Sequence, residues 1–138
     1  MADEKMIKIQ FKLTGKRGPS FESVWARDLG DNRAELANIP FFSESASLHD
    51  IVRFETDNEG INRFKRLLKR KTVKGYVQYE LGSDAQRSFS DLVDHFHSYG
   101  IRVEGAMAGF AALAWPIEME EGKLEESFGS FDKLIRNS

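Results

Sequence analysis

Residues 50–71 read DIVRFETDNEGINRFKRLLKRK, and this stretch decides the fold. In Asp50–Thr56, Val52 and Phe54 alternate with Ile51, the period of two of a half-buried strand. Asp57-Asn58-Glu59-Gly60 is a turn sequence, and Ile61–Lys71 returns as a second, strongly basic strand. The same pattern extends toward the N-terminus. Ile7, Ile9, Phe11 and Leu13 alternate with Lys8, Gln10 and Lys12. Thr14–Ser20 (TGKRGPS) reads as a turn, Phe21–Asp28 as a strand, Gly30-Asp31-Asn32 as a hairpin turn and Arg33–Asn38 as a short strand. Ile39-Pro40-Phe41-Phe42 reads as a strand end or edge, because Pro40 lacks a ladder donor. Ser43–Ser47 is a polar loop. Five short strands with tight turns predict an antiparallel five-stranded curled sheet or small barrel over residues 1–71.

The pattern changes after Lys71-Thr72-Val73-Lys74-Gly75, which reads as a close connection rather than a linker. Tyr76–Leu81 is a predicted strand. Ser83 and Gln86 have capping-box spacing ahead of a helix carrying Ala85, Phe89, Leu92, Val93, Phe96 and Tyr99 on one apolar face. Gly100 suits the helix end, since it can take a positive φ. Ile101–Glu104 is a strand, Gly105–Gly109 a turn, and Phe110–Trp115 a strand stopped by Pro116. A last helix puts Leu124, Phe128, Phe131 and Ile135 on one stripe; Gly122 and Gly129 each weaken it by about 1 kcal/mol. Strand, helix, strand, strand, helix is the order of a ferredoxin-like unit without its last strand. The expected fold is α+β, one domain made of a β-rich subdomain (1–71) and a ferredoxin-like subdomain (72–138).

A chain of 138 residues with 41% hydrophobic and 30% charged residues is globular in composition. It has no cysteine, which excludes disulfides, thiolate metal sites and cysteine nucleophiles. The charged start Met-Ala-Asp-Glu-Lys and the lack of a long apolar run read as a cytoplasmic protein without a signal peptide or membrane span. Net charge is −2 with a pI near 5.9, so overall charge does not point to nucleic acid. The distribution is uneven: seven basic and no acidic residues lie in Arg63–Lys74, and five Glu with one Lys in Glu118–Glu126.

Several segments together resemble a known family. Glu22-Ser23-Val24-Trp25-Ala26 leads to Leu29-Gly30-Asp31, then Leu36, Asn38-Ile39-Pro40-Phe41-Phe42 and His49-Asp50-Ile51-Val52. This succession resembles the bacterial domain-of-unknown-function family 4265, whose members read E-S-x-W-A, L-G-D-G, L-x-N-I-P-F-F and D-x-V. The resemblance implies a helix ending in Gly and a strand ending near Pro, where this chain has Tyr99-Gly100 and Trp115-Pro116. The chain departs from the family in Lys71–Gly75, where a Gly-His segment is common, and after the last helix, where members add an aromatic, acidic strand. The resemblance implies a fold and no activity.

The residues that could carry chemistry have plainer readings. His95 and His97 are two apart on a helix, so they point away from each other and cannot share a metal; both read as solvated. Asp91 and His95, four apart, suit a weak surface pair, and His49-Asp50 suits a turn. Phe128-Gly129-Ser130-Phe131 is no nucleophile elbow. TGKRGPS lacks phosphate-loop spacing, and the glutamates near 118–126 lack calcium-loop spacing but suit a helix start. Strict alternation in Arg63–Lys74 would put charge on both faces, the mark of a protected edge strand. No cofactor is called for. The expected function is non-catalytic binding of a protein partner, as an immunity-type inhibitor that neutralises a toxin by contact. A nucleic-acid module using residues 63–74 and a small-molecule sensor are the alternatives. The expected contact residues are Trp25, Phe42, Arg66, Arg70, Lys71, Glu120 and Glu121.

Overall fold

The structure, a computed structural model, describes residues 5–14, 20–79, 85–107 and 109–136. Its elements are β1 Met6–Leu13, β2 Ser20–Gly30, β3 Arg33–Leu36, β4 Ile51–Thr56, β5 Asn62–Lys69, β6 Thr72–Gln78, α1 Ala85–His97, β7 Arg102–Met107, β8 Phe110–Pro116 and α2 Glu121–Arg136. They divide into two compact units, Met1–Thr72 and Val73–Ser138. The fold is mixed α+β.

In the first unit β1 to β5 form a closed barrel, each strand antiparallel to the next. Closure is parallel: β1 meets β5 at Gln10 opposite Arg63. The barrel is therefore not wholly antiparallel, because an odd number of strands in a meander brings the first and last together pointing the same way. The β2–β3 hairpin turns on Asp31 and Asn32, with φ of 56° and 59°. Positive φ at both central residues is what a two-residue hairpin loop needs to match strand twist. One residue in two points inward along β1 to β4, giving a core of Ile9, Phe11, Val24, Ala26, Ala34, Leu36, Val52 and Phe54. Phe64 stacks on Phe11 at 4.7 Å between centroids.

The basic strand does not alternate as the sequence suggests. Phe54 faces Phe64 but Arg53 faces Arg66, and Val52 faces Leu67 but Ile51 faces Lys69. Lys65 and Leu68 are thus extra residues, two β-bulges that reset the parity. Phe64 and Leu67 pack on the core, while Arg63, Arg66 and Lys69 take the outer face. Nor is β5 an open edge, since β4 and β1 flank it in the closed barrel.

Residues 37–50 form no strand. The expected strand over Arg33–Asn38 ends at Leu36, and Ile39-Pro40-Phe41-Phe42 belongs to an irregular loop with Pro40 fully buried. The expected strand at Tyr76 begins earlier, at Thr72, so the segment 72–75 is strand rather than connection. The expected capping box at Ser83 lies outside the described residues, as does most of TGKRGPS.

In the second unit the sheet order is β6-β8-β7. The strand β8 lies between the two that α1 connects. β7 runs on to Met107, past the turn expected to start at Gly105. Leu92 and Phe96 of α1 and Phe131 of α2 pack with Val77, Ile101, Ala111 and Leu113. Gly75 makes room for an indole: a Cβ there would sit 2.8 Å from the Trp115 ring. His95, expected in solvent, is half-buried; its Nε2 lies 2.8 Å from the Ser127 carbonyl and its ring 5.0 Å from that of Phe96. It ties α1 to α2. Among the described residues no helix is long and apolar enough to cross a membrane.

Candidate functional site: a pinned loop and the outer wall of the barrel

The polar residues that stand out in the sequence serve the backbone. The Glu22 carboxylate accepts from three successive N–H groups, those of Phe41 (2.6 Å), Phe42 (3.0 Å) and Ser43 (2.9 Å). The Asn38 side-chain oxygen accepts from the Trp25 N–H at 3.0 Å. Asp50 is fully buried and accepts from the N–H groups of Ser47 (2.8 Å), Lys71 (2.7 Å) and Thr72 (3.2 Å). The Thr72 hydroxyl donates to the Leu48 carbonyl at 2.6 Å. His49 takes a φ of 66° in the turn between. A 14-residue loop without ladder partners needs its N–H groups met somewhere, and these side chains meet them.

The outer wall of the barrel has a different chemistry. On β1 and β2 the outward pairs are Lys8 with Trp25, Gln10 with Ser23 and Lys12 with Phe21. The Lys8 ammonium lies 5.0 Å from the Trp25 ring, and the Arg63 guanidinium 5.7 Å from the Phe21 ring. Met6, Phe21 and Trp25 are each 45–48% exposed. Arg63 is braced twice more, by Asp57 at 2.9 Å and by the Gln10 side chain at 2.8 Å. The Ile61 N–H is the strongest influence on the Asp57 carboxyl and, with Arg63 and the Glu59 N–H, it outweighs the opposing effect of desolvation and holds the group below its ordinary value. On the far side, burial pushes the Glu35 carboxyl up, but Arg27, with Lys71 and His49, more than offsets this and holds it low. Glu35 pairs with Arg27 and lies 3.4 Å from His49.

Charge divides between the units. Met1–Thr72 carries 14 basic against 11 acidic residues, net +3, and Val73–Ser138 carries 6 against 11, net −5. Among the described residues no three His, Asp or Glu side chains could share a metal.

The expected contact residues scatter. Trp25 is on the barrel wall, and Phe42, 58% exposed, is on the pinned loop with its ring edge-on to Phe41. Arg66 is exposed on β5 and Arg70 just beyond it, while Lys71 is half-buried and lends its N–H to Asp50. Glu120 and Glu121 are exposed at the start of α2, in the second unit. Lys8, Phe21, Arg33, Arg53 and Arg63 are not among the expected contact residues, though all stand on the outer face of the barrel. The loop between β4 and β5 is five residues, 57–61, one longer than the expected turn at 57–60, and this sets Thr56 against Asn62 and Glu55 against Arg63.

This chain matches the family model "Domain of unknown function (DUF4265)" over residues 22–130. It belongs to that family. The match begins at Glu22, the residue that pins the 41–43 backbone. No curated protein matches the chain. A solved structure, described as a novel crystal structure of a hypothetical protein from Neisseria gonorrhoeae, has the same fold. Its TM-score is 0.67 at 14% identity, over 96% of this chain and 91% of that one.

Proposed function

We propose that this member of the DUF4265 family is a non-catalytic cytoplasmic protein that docks a protein partner on the outer wall of its barrel, as an immunity-type inhibitor of a toxin. The observation that carries this is the grouping of exposed Met6, Phe21 and Trp25 beside Lys8 and Arg63. Aromatic residues, Met and Arg are enriched in interface centres, and Trp and Arg dominate measured hot spots. Glu22, Asn38 and Asp50 are committed to the backbone, which takes them out of proton transfer and supports a non-catalytic reading. Opposite charge on the two units, +3 and −5, suits an electrostatically steered encounter. We read the second unit as ferredoxin-like without its last strand; the order β6-β8-β7, with β8 inside the β6-α1-β7 crossover, supports this.

The test is a pull-down of tagged protein from its native extract, with nuclease in parallel. One stoichiometric protein that survives nuclease and is lost with Trp25→Ala is the expected result. Capture that Trp25→Ala leaves unchanged would overturn the docking face. Capture that vanishes with nuclease would favour a nucleic-acid reading instead. That second reading has its own support, because exposed aromatics flanked by cations are the arrangement on which bases stack.

A further inference from the structure

Three arginines lie in one row across neighbouring strands. Arg33 of β3 is the register partner of Arg53 in β4, and Arg53 that of Arg66 in β5. All three take the outer face, since Ala34, Val52 and Leu67 beside them pack into the core. Strands lie roughly 4.8 Å apart, so the three stems leave the barrel within about 10 Å. Like charges placed directly opposite destabilise a sheet.

Other cations on the barrel have acidic partners: Arg27 has Glu35, Arg63 has Asp57, and Lys65 has Glu55 at 3.5 Å. Among the described residues Arg33, Arg53 and Arg66 have no ion pair and no side-chain hydrogen bond. The carboxylates two residues away on the same strands are taken. Glu35, next along from Arg33, holds Arg27 and His49, and Glu55, next along from Arg53, holds Lys65. The Arg53 Nε is buried and its N–H meets no acceptor. A buried charged donor left unmade is costly, and the sheet gains nothing from keeping it there.

We propose that Arg33, Arg53 and Arg66 form a binding site for a phosphate monoester, whose oxygens bridge Arg53 to its two neighbours. A phosphate monoester carries close to two negative charges and three acceptor oxygens, and the guanidinium fork matches it bidentately. A carboxylate brings one charge and two oxygens, too few for three adjacent guanidiniums. A nucleic-acid backbone offers singly charged diesters along a track, whereas this row is three residues long and converges on one point. The site is separate from the Trp25 face: Arg33 and Arg53 stand on β3 and β4, and the docking reading can fail without it.

The test titrates inorganic phosphate into isotope-labelled full-length protein at constant ionic strength. The signal is the Arg53 Nε–H resonance, assigned by its loss in Arg53→Lys. A saturable shift with Kd of about 1 mM or tighter is expected. Arg33→Met and Arg66→Met should weaken it at least tenfold. Arg66→Lys should also weaken it, because Lys keeps the charge and loses the fork. A phosphoserine peptide should compete, and an oligothymidylate should not. No saturable shift, equal binding by the Met variants, or better competition by the oligothymidylate would each overturn the proposal. Trp25→Ala should leave this titration unchanged, which separates it from the partner capture.

Discussion

The loop at 37–50 and the arginine row on β3–β5 use charge in opposite ways. In the loop, two carboxylates and an amide are surrounded by donors: Glu22 meets three N–H groups and Asp50 three more. In the row, three cations face one another without an acceptor among the described residues. Arg63 stands between, braced by Asp57, Gln10 and the Phe21 ring. The contrast separates groups that the fold consumes from groups that it leaves available. A motif that is conspicuous in sequence can be entirely of the first kind. Glu22, Asn38 and Asp50 belong to the stretches that carry the family resemblance, yet their partners are backbone atoms of the same chain.

The largest effect should come from Asp50→Ala. The carboxylate is fully buried and satisfies the N–H groups of Ser47, Lys71 and Thr72. Each buried donor left unmade costs about 1–3 kcal/mol, and partial rescue by water brings the sum to about 3–5 kcal/mol in urea unfolding. A loss under about 1 kcal/mol would mean that the loop does not depend on this pin. Glu22→Gln should cost less, about 1–2 kcal/mol, since the bonds are partly exposed and one amide oxygen remains as acceptor. Its sharper signature is local. Cleavage by chymotrypsin at Phe41 or Phe42 should become faster than in the parent, because the backbone there loses its anchor.

These pins also mark where sequence reading stops. The Asp31-Asn32 turn, the alternation of β1 and the apolar stripe of α1 were legible because each depends on neighbours within a few residues. The loop was not. Glu22 reaches Phe41 across 19 residues of sequence, and Asp50 reaches Lys71 across 21, distances that no local pattern reports. Without those bonds Pro40 and Phe41-Phe42 read naturally as the end of a strand. The basic strand failed for another reason. Lys65 and Leu68 are bulge residues of ordinary type, and one extra residue turns every later side chain to the other face. Read with strict alternation, Arg66 shares a face with Phe64 and Leu68; with the bulge it faces Arg53. The candidate arginine site was therefore hidden by parity, not by composition. The burial of His95 leaves no local signal, because its partner, the Ser127 carbonyl, is on the other helix.

A smaller effect should appear in acid. The Asp57 and Glu35 carboxyls both sit below their ordinary values in the folded barrel. A depressed folded value means the unfolded chain binds the proton first, so these groups stabilise the fold above the unfolded values near 3.8 and 4.5. That contribution is lost as pH falls through the folded values. Stability should therefore decline as pH drops below about 4.5, and Asp57→Asn should flatten part of the slope. An unchanged slope in Asp57→Asn would mean that the Ile61 and Glu59 N–H groups and Arg63 do not favour the charged carboxylate.

The smallest expected change is the most informative about the row. Arg66→Met removes one of three like charges and keeps an apolar stem of similar length on an exposed position. If the row had a structural purpose, the variant would lose stability as Asp50→Ala does. If it is held in readiness for an anion, removing the repulsion should leave stability unchanged or raise it by up to about 0.5 kcal/mol. Added phosphate should then stabilise the parent and not the variant, because only a protein with the site intact gains from a ligand that binds the folded state. The two proteins would be equal in chloride and diverge in phosphate. A parent that is already the more stable in chloride would place Arg66 with Glu22 and Asp50, among the residues the fold consumes.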